Sequence, residues 1–306
     1  MIQTHRQQLQ VRVPATSANL GPGFDVLGLA LDLHNVFTLE RADRTTVRTD
    51  GYGGDLDRGE NNLFYRAFAH LFALAGEVAP PLSVRMTLNV PPGKGLGSSA
   101  TAVIGGLVAA NEFLGRRFGQ AELLSEAIKL EHGGHADNVA PALLGGLVVN
   151  VIEAGQVISV KLPFPQELQA VVFTPDFAMD TVQGRSLMPG EYSRDDAVYN
   201  SSRVALFLSA IAEGRYDLLR VAMQDRLHQP YRARIFPLLP ALVEAALGAG
   251  AHGACLSGGG SSVLALATEH AEEVAQALVE TAQQAGVAGA AIVTGADQEG
   301  ARATWL

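Results

Sequence analysis

Lysine is nearly missing from this chain. Lys94, Lys129 and Lys161 are the whole complement, and the other basic residues are arginine. Cysteine is reduced to one, Cys255. That excludes an intrachain disulfide and fits a reducing cytoplasm, with Cys255 read as a small buried hydrophobe. No apolar run reaches the roughly 18 residues of a membrane helix. The opening Met1 to Gln10 is polar and lacks the apolar core of a signal peptide. A soluble cytoplasmic protein with no membrane partner is expected. Positive charge is also short, at a formal net charge of -9. Affinity for nucleic acid rests on a cationic surface meeting phosphates, so the chain reads as a poor general binder of nucleic acid, while a local basic site for a small anion remains open.

What is present is ample core material. The chain has 306 residues, 48% hydrophobic and 17% charged, which argues against disorder and for one large or two medium domains. Leu9 to Val13 alternates as a strand, followed by a Gly-rich loop from Ala18 to Gly28. Val36 to Glu40 and Thr45 to Arg48 read as a strand pair. Asn62 to Ala75 has helical spacing, with Asn61 or Asn62 as N-cap. Leu82 to Val90 is a strand ended by Pro91 and Pro92. Ser98 to Leu114 is a small-residue helix read as deeply buried, and Glu122 to Leu130 is another helix. Gly146 to Val151 and Val157 to Val160 read as a hairpin. Beyond Pro163, Leu168 to Phe173 is a strand, and Asp196 to Ala212 and Leu238 to Ala249 are helices, the latter stopped by Gly250. Ala254 to Ser257 and Val263 to Ala267 are strands around Gly258 to Gly260. Glu272 to Ala285 is a helix and Ala290 to Val293 a closing strand. This order predicts an α+β fold with a ferredoxin-like second unit. The boundary falls at about residues 152–166, giving domains over 1–160 and 161–306.

The stretch Pro91 to Ala100 reads Pro-Pro-Gly-Lys-Gly-Leu-Gly-Ser-Ser-Ala. It follows a strand and opens a helix. Gly93, Gly95 and Gly97 let the backbone approach a ligand, and the helix start offers unpaired N–H groups and the positive end of its dipole. Ser98, Ser99 and Thr101 add hydroxyls for phosphate oxygens or Mg²⁺, and Lys94 adds charge. It is not a Walker loop, because Lys94 precedes Gly95 rather than Ser or Thr, and it is not a dinucleotide fingerprint, because its glycines alternate.

Two more segments accompany it, Pro14-Ala-Thr-Ser-Ala-Asn-Leu-Gly-Pro-Gly-Phe-Asp25 and Leu256-Ser-Gly-Gly-Gly-Ser-Ser262. Together the three resemble the signature motifs of the GHMP kinases, in the family order and across nearly the whole chain. The resemblance implies a two-domain fold, with a ribosomal-protein-S5-domain-2-like N-terminal domain and a ferredoxin-like C-terminal domain. It implies ATP and Mg²⁺. Pro92, Gly93, Lys94, Gly95, Leu96, Gly97, Ser98, Ser99, Ala100 and Thr101 are then expected at ATP, with Gly259 bringing backbone close to the phosphates. The run Gly258 to Gly260 could otherwise be a plain hairpin turn. Asn62 is expected at the nucleotide base or ribose, or simply as an N-cap.

Three details resemble the homoserine kinases within that family. These are the form of the first motif, the segment His135-Ala-Asp-Asn-Val-Ala-Pro141, and the arginine segments Gly184 to Pro189 and Asp225 to Arg232. The chemistry fits L-homoserine. Its carboxylate suits a guanidinium fork, which Arg185 or Arg232 could supply, and its ammonium suits Asn19, Asp25, Asp137 or Asn138. The resemblance places Asp137 and Asn138 at the hydroxyl and amine end and both arginines at the carboxylate end. His135 is read as a substrate-shell or capping residue. The expected reaction is in-line attack of the hydroxyl on the γ-phosphate without an obvious base, with catalytic roles for Asn138, Asp137 and Lys94. Ser98, or Ser99, and a glutamate are expected at Mg²⁺. Glu131 is favoured over Glu126 because it ends the predicted helix beside the loop. His132, His135 and Asp137 have His-x-x-His spacing, but the flanking glycines oppose a helix there, so a transition-metal site is not expected. The alternatives are another kinase of the family acting on mevalonate or a sugar, and a non-catalytic nucleotide- or RNA-binding module. A homodimer is compatible with the sequence but not indicated by it.

Overall fold

A computed structural model of the chain describes residues 8–53, 56, 58–131 and 134–306. The first half builds strands β1 (Leu9–Ala18), β2 (Leu27–Arg41), β3 (Thr46–Gly51), β4 (Leu82–Leu88), β5 (Leu147–Glu153) and β6 (Gln156–Leu162). Helices α1 (Leu63–Leu74), α2 (Ser98–Phe113), α3 (Gln120–Leu130) and α4 (Val139–Leu144) share one apolar core with this sheet.

The second half contains β7 (Gln169–Pro175), α5 (Thr181–Ser186), α6 (Arg194–Ala212), α7 (Leu219–Ala222), α8 (Gln229–Arg232) and α9 (Leu239–Gly248). It continues with β8 (Gly253–Leu256), β9 (Val263–Ala267), α10 (Ala271–Gln284) and β10 (Gly289–Thr294). Its four strands lie in the order β10-β7-β9-β8, each pair antiparallel. With the strands numbered in chain order this is 4-1-3-2, the ferredoxin-like arrangement expected from the sequence.

Two expectations about strands need correction. The segments read as a strand pair are strands, but they do not pair with each other. β4 lies between them, antiparallel to β2 and parallel to β3. The strand at Gly289–Thr294 does not close the chain either. A further strand, β11 (Arg302–Trp305), returns to the first sheet and pairs antiparallel with β1. Sheet order there is β11-β1-β2-β4-β3, with β5 branching from β2 and carrying β6.

β2 explains how the site is framed. Residues 27–31 are buried without interruption, because this half also pairs with β5 and contributes Leu27, Leu29 and Leu31 to a core shared with the second half. From Val36 onward burial alternates, as on a sheet covered on one face. Between the halves the register with β1 shifts at Pro14/Ala15, where Pro14 has no N–H to donate. Asn35 sits at this bend. Its Oδ1 accepts from the backbone N–H groups of Asn89 and Val90, both at 2.9 Å, and its Nδ2 donates to Thr101 Oγ1 at 2.7 Å. One buried amide thus ties the start of the glycine loop to the helix that follows it.

α2 is small-residued because its neighbours come very close. A Cβ on Gly106 would lie 2.2 Å from the Phe64 carbonyl oxygen in α1, and one on Gly105 would lie 2.8 Å from the Phe37 ring. Among the described residues, no helix is long and apolar enough to cross a membrane.

Candidate active site

Three glycine-containing loops meet at the N-terminus of α2. Gly93, Gly95 and Gly97 all have positive φ, at 69°, 76° and 65°. The reason differs among them. A Cβ on Gly95 would lie 2.2 Å from the Ser257 carbonyl oxygen, and one on Gly97 would lie 2.0 Å from Thr16 Oγ1. These two glycines let the central loop pack against the third and first motifs. Gly93 has room for a Cβ and needs glycine only for its backbone conformation.

Hydrogen bonds lock the three loops together. Thr16 N donates to the Leu96 carbonyl at 3.1 Å, Ser262 N to Lys94 O at 2.9 Å, and Gly258 N to Ala18 O at 3.0 Å. Ser257 Oγ lies 2.7 Å from Gly95 O and 2.8 Å from Ser17 Oγ. With one proton to give, it donates to the carbonyl and accepts from Ser17. The run Gly258 to Gly260 connects the paired strands β8 and β9, so it is a hairpin turn and also a wall of the site. Gly259 is the partly exposed glycine of that run.

The first turn of α2 carries no side-chain cap, because its N-cap is Gly97. Its leading N–H groups therefore have no side-chain cap, and they lie where the three loops meet, the arrangement that holds anions. Leu96 and Ala100 are buried, so only their backbone can serve a ligand. Pro92, Gly93 and Ser99 are exposed.

The hydroxyls divide by role. Ser99 Oγ donates to Glu131 Oε1 at 2.5 Å. Ser98 Oγ turns back to Val90 O at 3.3 Å, and Thr101 is buried, donating to Ser98 O at 2.7 Å. The serine beside the carboxylate is thus Ser99, not Ser98, and the Thr101 hydroxyl is engaged internally. Glu126 is held elsewhere, by His70 Nε2 at 2.7 Å and Lys129 Nζ at 2.6 Å. A hydroxyl next to a half-buried carboxylate at a phosphate cradle suits Mg²⁺, which takes few protein oxygens and keeps waters and phosphates. Lys94 Nζ donates to the Pro175 carbonyl at 2.8 Å, tying the loop to the end of β7. Partial burial lowers its pKa, opposed by Asp176.

Next to the cradle lies Asn138, at the N-cap of α4. Its Oδ1 accepts from Thr16 Oγ1 at 2.8 Å, and a Cβ on Gly97 would lie 3.1 Å from it. Asn138 therefore touches both the first motif and the central loop. β2 passes so close here that a Cβ on Gly28 would lie 1.9 Å from the Asp137 carbonyl oxygen.

Near Asn138 in the chain and in space lies a cluster of charges of both signs. Arg185 Nη1 and Nη2 grip Asp25 at 3.0 and 2.7 Å. His135 Nδ1 is 3.4 Å from the same carboxylate. Burial lowers the His135 pKa, with Asp25 opposing and Arg185 assisting. Asp25 itself has φ 60°, a turn held by its N–H donating to Asn19 Oδ1 at 3.0 Å. Asn19 Nδ2 donates to Gly258 O at 3.0 Å, and the buried Arg232 donates to the same carbonyl at 2.9 Å. Phe24 lies between the two arginines, with guanidinium carbons 4.9 Å (Arg185) and 5.5 Å (Arg232) from its ring centre. Asp137 is buried, and its carboxyl pKa is pushed up to about 7 by burial first and by Asp25 second. A ligand ammonium beside it would draw it back to the ionised form. Two guanidinium groups and two carboxyls in one cluster match the charges of an amino-acid zwitterion.

Asn62, also expected at the nucleotide, has an evident local task. It is buried, and its Oδ1 accepts from Phe64 N at 3.0 Å, capping α1. His132 lies outside the described residues. Sequence reading passed over Thr16, Phe24 and His228, although each lies inside a segment it had singled out.

This geometry has close relatives. The family description "GHMP kinases N terminal domain" matches residues 62–146, and "GHMP kinases C terminal" matches 207–284. The homoserine kinase of Desulfitobacterium hafniense is 43% identical over 295 residues, 96% of this chain and 99% of that one. That of Synechocystis sp. is 41% identical over 304 residues, 97% and 98% of the two chains. Among solved structures, homoserine kinase from Cytophaga hutchinsonii matches with TM-score 0.88 at 31% identity, over 99% of both chains. A mevalonate kinase matches with TM-score 0.73 at 15% identity, over 95% of this chain and 99% of that one, a likeness of fold.

Proposed function

The chain belongs to the GHMP kinase family, and we propose that it is a homoserine kinase, transferring the γ-phosphoryl group of ATP to the hydroxyl of L-homoserine. The products are O-phospho-L-homoserine and ADP, a step toward threonine. One observation beyond the family carries the substrate reading. Asp25, Asp137, Arg185 and Arg232 form one electrostatically coupled cluster, and Asn138, the neighbour of Asp137 in the chain, is bonded to Thr16 of the first motif. That pattern suits a substrate with an ammonium, a carboxylate and one alcohol.

In this reading the α2 N-terminus and the amides of residues 93–99 hold the phosphates and stabilise the charge that develops on the transferring group. Arg185 and Arg232 take the carboxylate, and Asp137, with Asp25 and Asn19, takes the ammonium. The side-chain amide of Asn138, held by Thr16, orients the alcohol for in-line attack. The alcohol oxygen bonds to phosphorus as the bond to the ADP oxygen breaks, and the alcohol proton leaves with the transferred phosphoryl group or to solvent. Positioning and charge neutralisation dominate such transfers, so a dedicated base is not required. Mg²⁺, when bound, would neutralise phosphate charge, and Ser99 and Glu131 are the residues suited to hold it. Lys94, bonded to Pro175, is assigned to anchoring the loop rather than to the phosphates. The division near residue 160, with the last strand returning to the first sheet, and a cytoplasmic setting complete the proposal.

The test is ADP release measured with a panel of alcohols. L-homoserine should be turned over well above mevalonate and galactose. Turnover of mevalonate without homoserine would reassign the substrate.

A further inference from the structure

His228 is fully buried at the N-cap position of α8. Its Nε2 lies 2.7 Å from the Gly21 carbonyl oxygen and its Nδ1 lies 2.9 Å from Arg232 Nη1. A carbonyl only accepts and a guanidinium only donates. The ring therefore carries its proton on Nε2, gives it to Gly21, and accepts from Arg232 at Nδ1. The second proton of Arg232 Nη1 goes to Gly258 O at 2.9 Å. One nitrogen of the guanidinium is thus held between the ring and the third motif, while the ring is held by the first.

The ring itself is fixed from below. Asp225 accepts from the backbone N–H groups of Leu227, His228 and Gln229 at 2.8, 3.0 and 2.7 Å, and from Asn200 Nδ2 at 2.7 Å. Its oxygens are engaged there, so although one is 3.5 Å from His228 Nε2, the Gly21 carbonyl is the better acceptor. Phe24 stacks on the imidazole with ring centres 5.2 Å apart. Burial holds the His228 pKa down, to about 4, with Arg232 acting the same way and Asp225 and Asp25 opposing. Arg232 Nε is buried without a partner, a sign of a side chain placed for something other than its own satisfaction.

We propose that His228 is a positioning residue for substrate specificity: its Nδ1 lone pair aims the buried Arg232 fork at the carboxylate of the incoming amino acid. This rests on Arg232 being the carboxylate end of the site. His228 touches no substrate in this scheme and acts only through Arg232.

Two isosteric variants separate aiming from packing. His228→Asn keeps an acceptor at the Nδ1 position and loses the donor to Gly21. His228→Gln keeps a donor at the Nε2 position and loses the acceptor for Arg232. Steady-state kinetics on wild type and both variants should show the KM for L-homoserine raised about tenfold or more in His228→Gln. The KM for ATP should stay within about twofold, and His228→Asn should lie within about threefold of wild type. A Gln variant with an unchanged homoserine KM, or an Asn variant impaired as much as the Gln variant, overturns the proposal. A wild-type protein with no homoserine turnover would instead overturn the functional reading on which it stands. The ring ¹⁵N spectrum of the wild-type protein gives an answer that does not depend on either variant folding. It should show the Nε2–H tautomer throughout about pH 6 to 8, and a protonated Nδ1 in that range overturns the proposal.

Discussion

Arg185 holds Asp25 through both terminal guanidinium nitrogens, at 3.0 and 2.7 Å. The fork that should receive a substrate carboxylate already grips an internal one. Both side chains are partly exposed, at 42% and 24%. Exposed pairs of this kind contribute little to stability, so a ligand carboxylate can share or replace Asp25 without a large penalty. The pair fixes Arg185 and Asp25 against each other, close to Asp137 and Arg232. Arg232 differs, being buried and fixed by Gly258 and His228.

Removing either arginine should therefore read out on the amino acid and not on the nucleotide. Arg232→Ala should raise the KM for homoserine about a hundredfold, and Arg185→Lys about tenfold, because a lysine cannot make the planar double contact. The KM for ATP should move by less than about threefold in both. Initial-rate kinetics with each substrate varied in turn checks this, and equal effects on the two KM values would take the arginines out of the amino-acid end.

The Ser99–Glu131 hydrogen bond makes a second distinction. Ser99→Ala and Glu131→Gln should each lower kcat about a hundredfold and raise the Mg²⁺ concentration needed for half-maximal rate. Ser98→Ala, whose hydroxyl turns back to Val90, should lower kcat by less than about fivefold. Removing divalent cations with EDTA should stop turnover, and adding Mg²⁺ should restore it. A Ser98→Ala variant more impaired than Ser99→Ala would reverse the assignment.

That distinction marks where sequence reading stops. The glycine loop, the helix after it and the small-residue packing of α2 follow from local pattern, and they are where the pattern put them. Which serine meets the carboxylate depends on the rotation of one helical turn, and both serines read alike in the sequence. The choice of Glu131 over Glu126 rests on its place at a helix end, while Glu126 is paired with His70 and Lys129. β3 was read as a strand but given the wrong neighbour, because pairing with β4 is a non-local contact that alternation does not encode. β11 and α4 were missed because four- and six-residue segments carry too little periodicity. His228 was passed over because its role comes from Gly21 and Arg232, which the fold alone brings together.

The return of β11 rests on Asp297. Its Oδ2 accepts from His34 Nε2 at 2.5 Å and from Arg302 Nη2 at 2.7 Å, and its Oδ1 accepts from the amides of Glu299 and Gly300, both at 2.7 Å. Arg12 in turn donates to His34 Nδ1 at 2.8 Å. With those acceptors filled, His34 and Asp297 form a staple, beside which Asp32 stands exposed. Burial alone would raise the Asp297 pKa, but the His34 hydrogen bond, the two amides and Arg302 together hold it well below the usual carboxylate range. A depressed carboxyl pKa stabilises the fold above the ordinary value of about 4, and that stabilisation fades as pH falls below it. Asp297→Asn should destabilise the protein by about 3 kcal/mol at neutral pH, and the gap to wild type should narrow as pH drops from about 5 toward 2. Urea melts at several pH values check it, and a gap independent of pH would mean the charge of Asp297 is not what holds the tail.

Asp137 should show the opposite sign. Its carboxyl pKa is pushed up to about 7, by burial first and by the charge of Asp25 second, against Arg185 and Arg232. In the folded protein without ligand it is a neutral acid through most of the weakly acidic range, whereas the unfolded chain ionises near the ordinary value. Stability is therefore fully present below about pH 4 and is lost as pH rises toward about 7. Asp137→Asn should be free of that loss, so its melting temperature should gain on wild type across this interval and level off above it. Binding should follow the reverse course. An ammonium group needs the carboxylate, so the wild-type KM for homoserine should fall as pH rises from about 5.5 to about 8. The Asn variant should be weak and flat over the same range. A wild-type KM that does not change with pH, beside a stability gap that does, would leave Asp137 buried and strained but not the group that receives the ammonium.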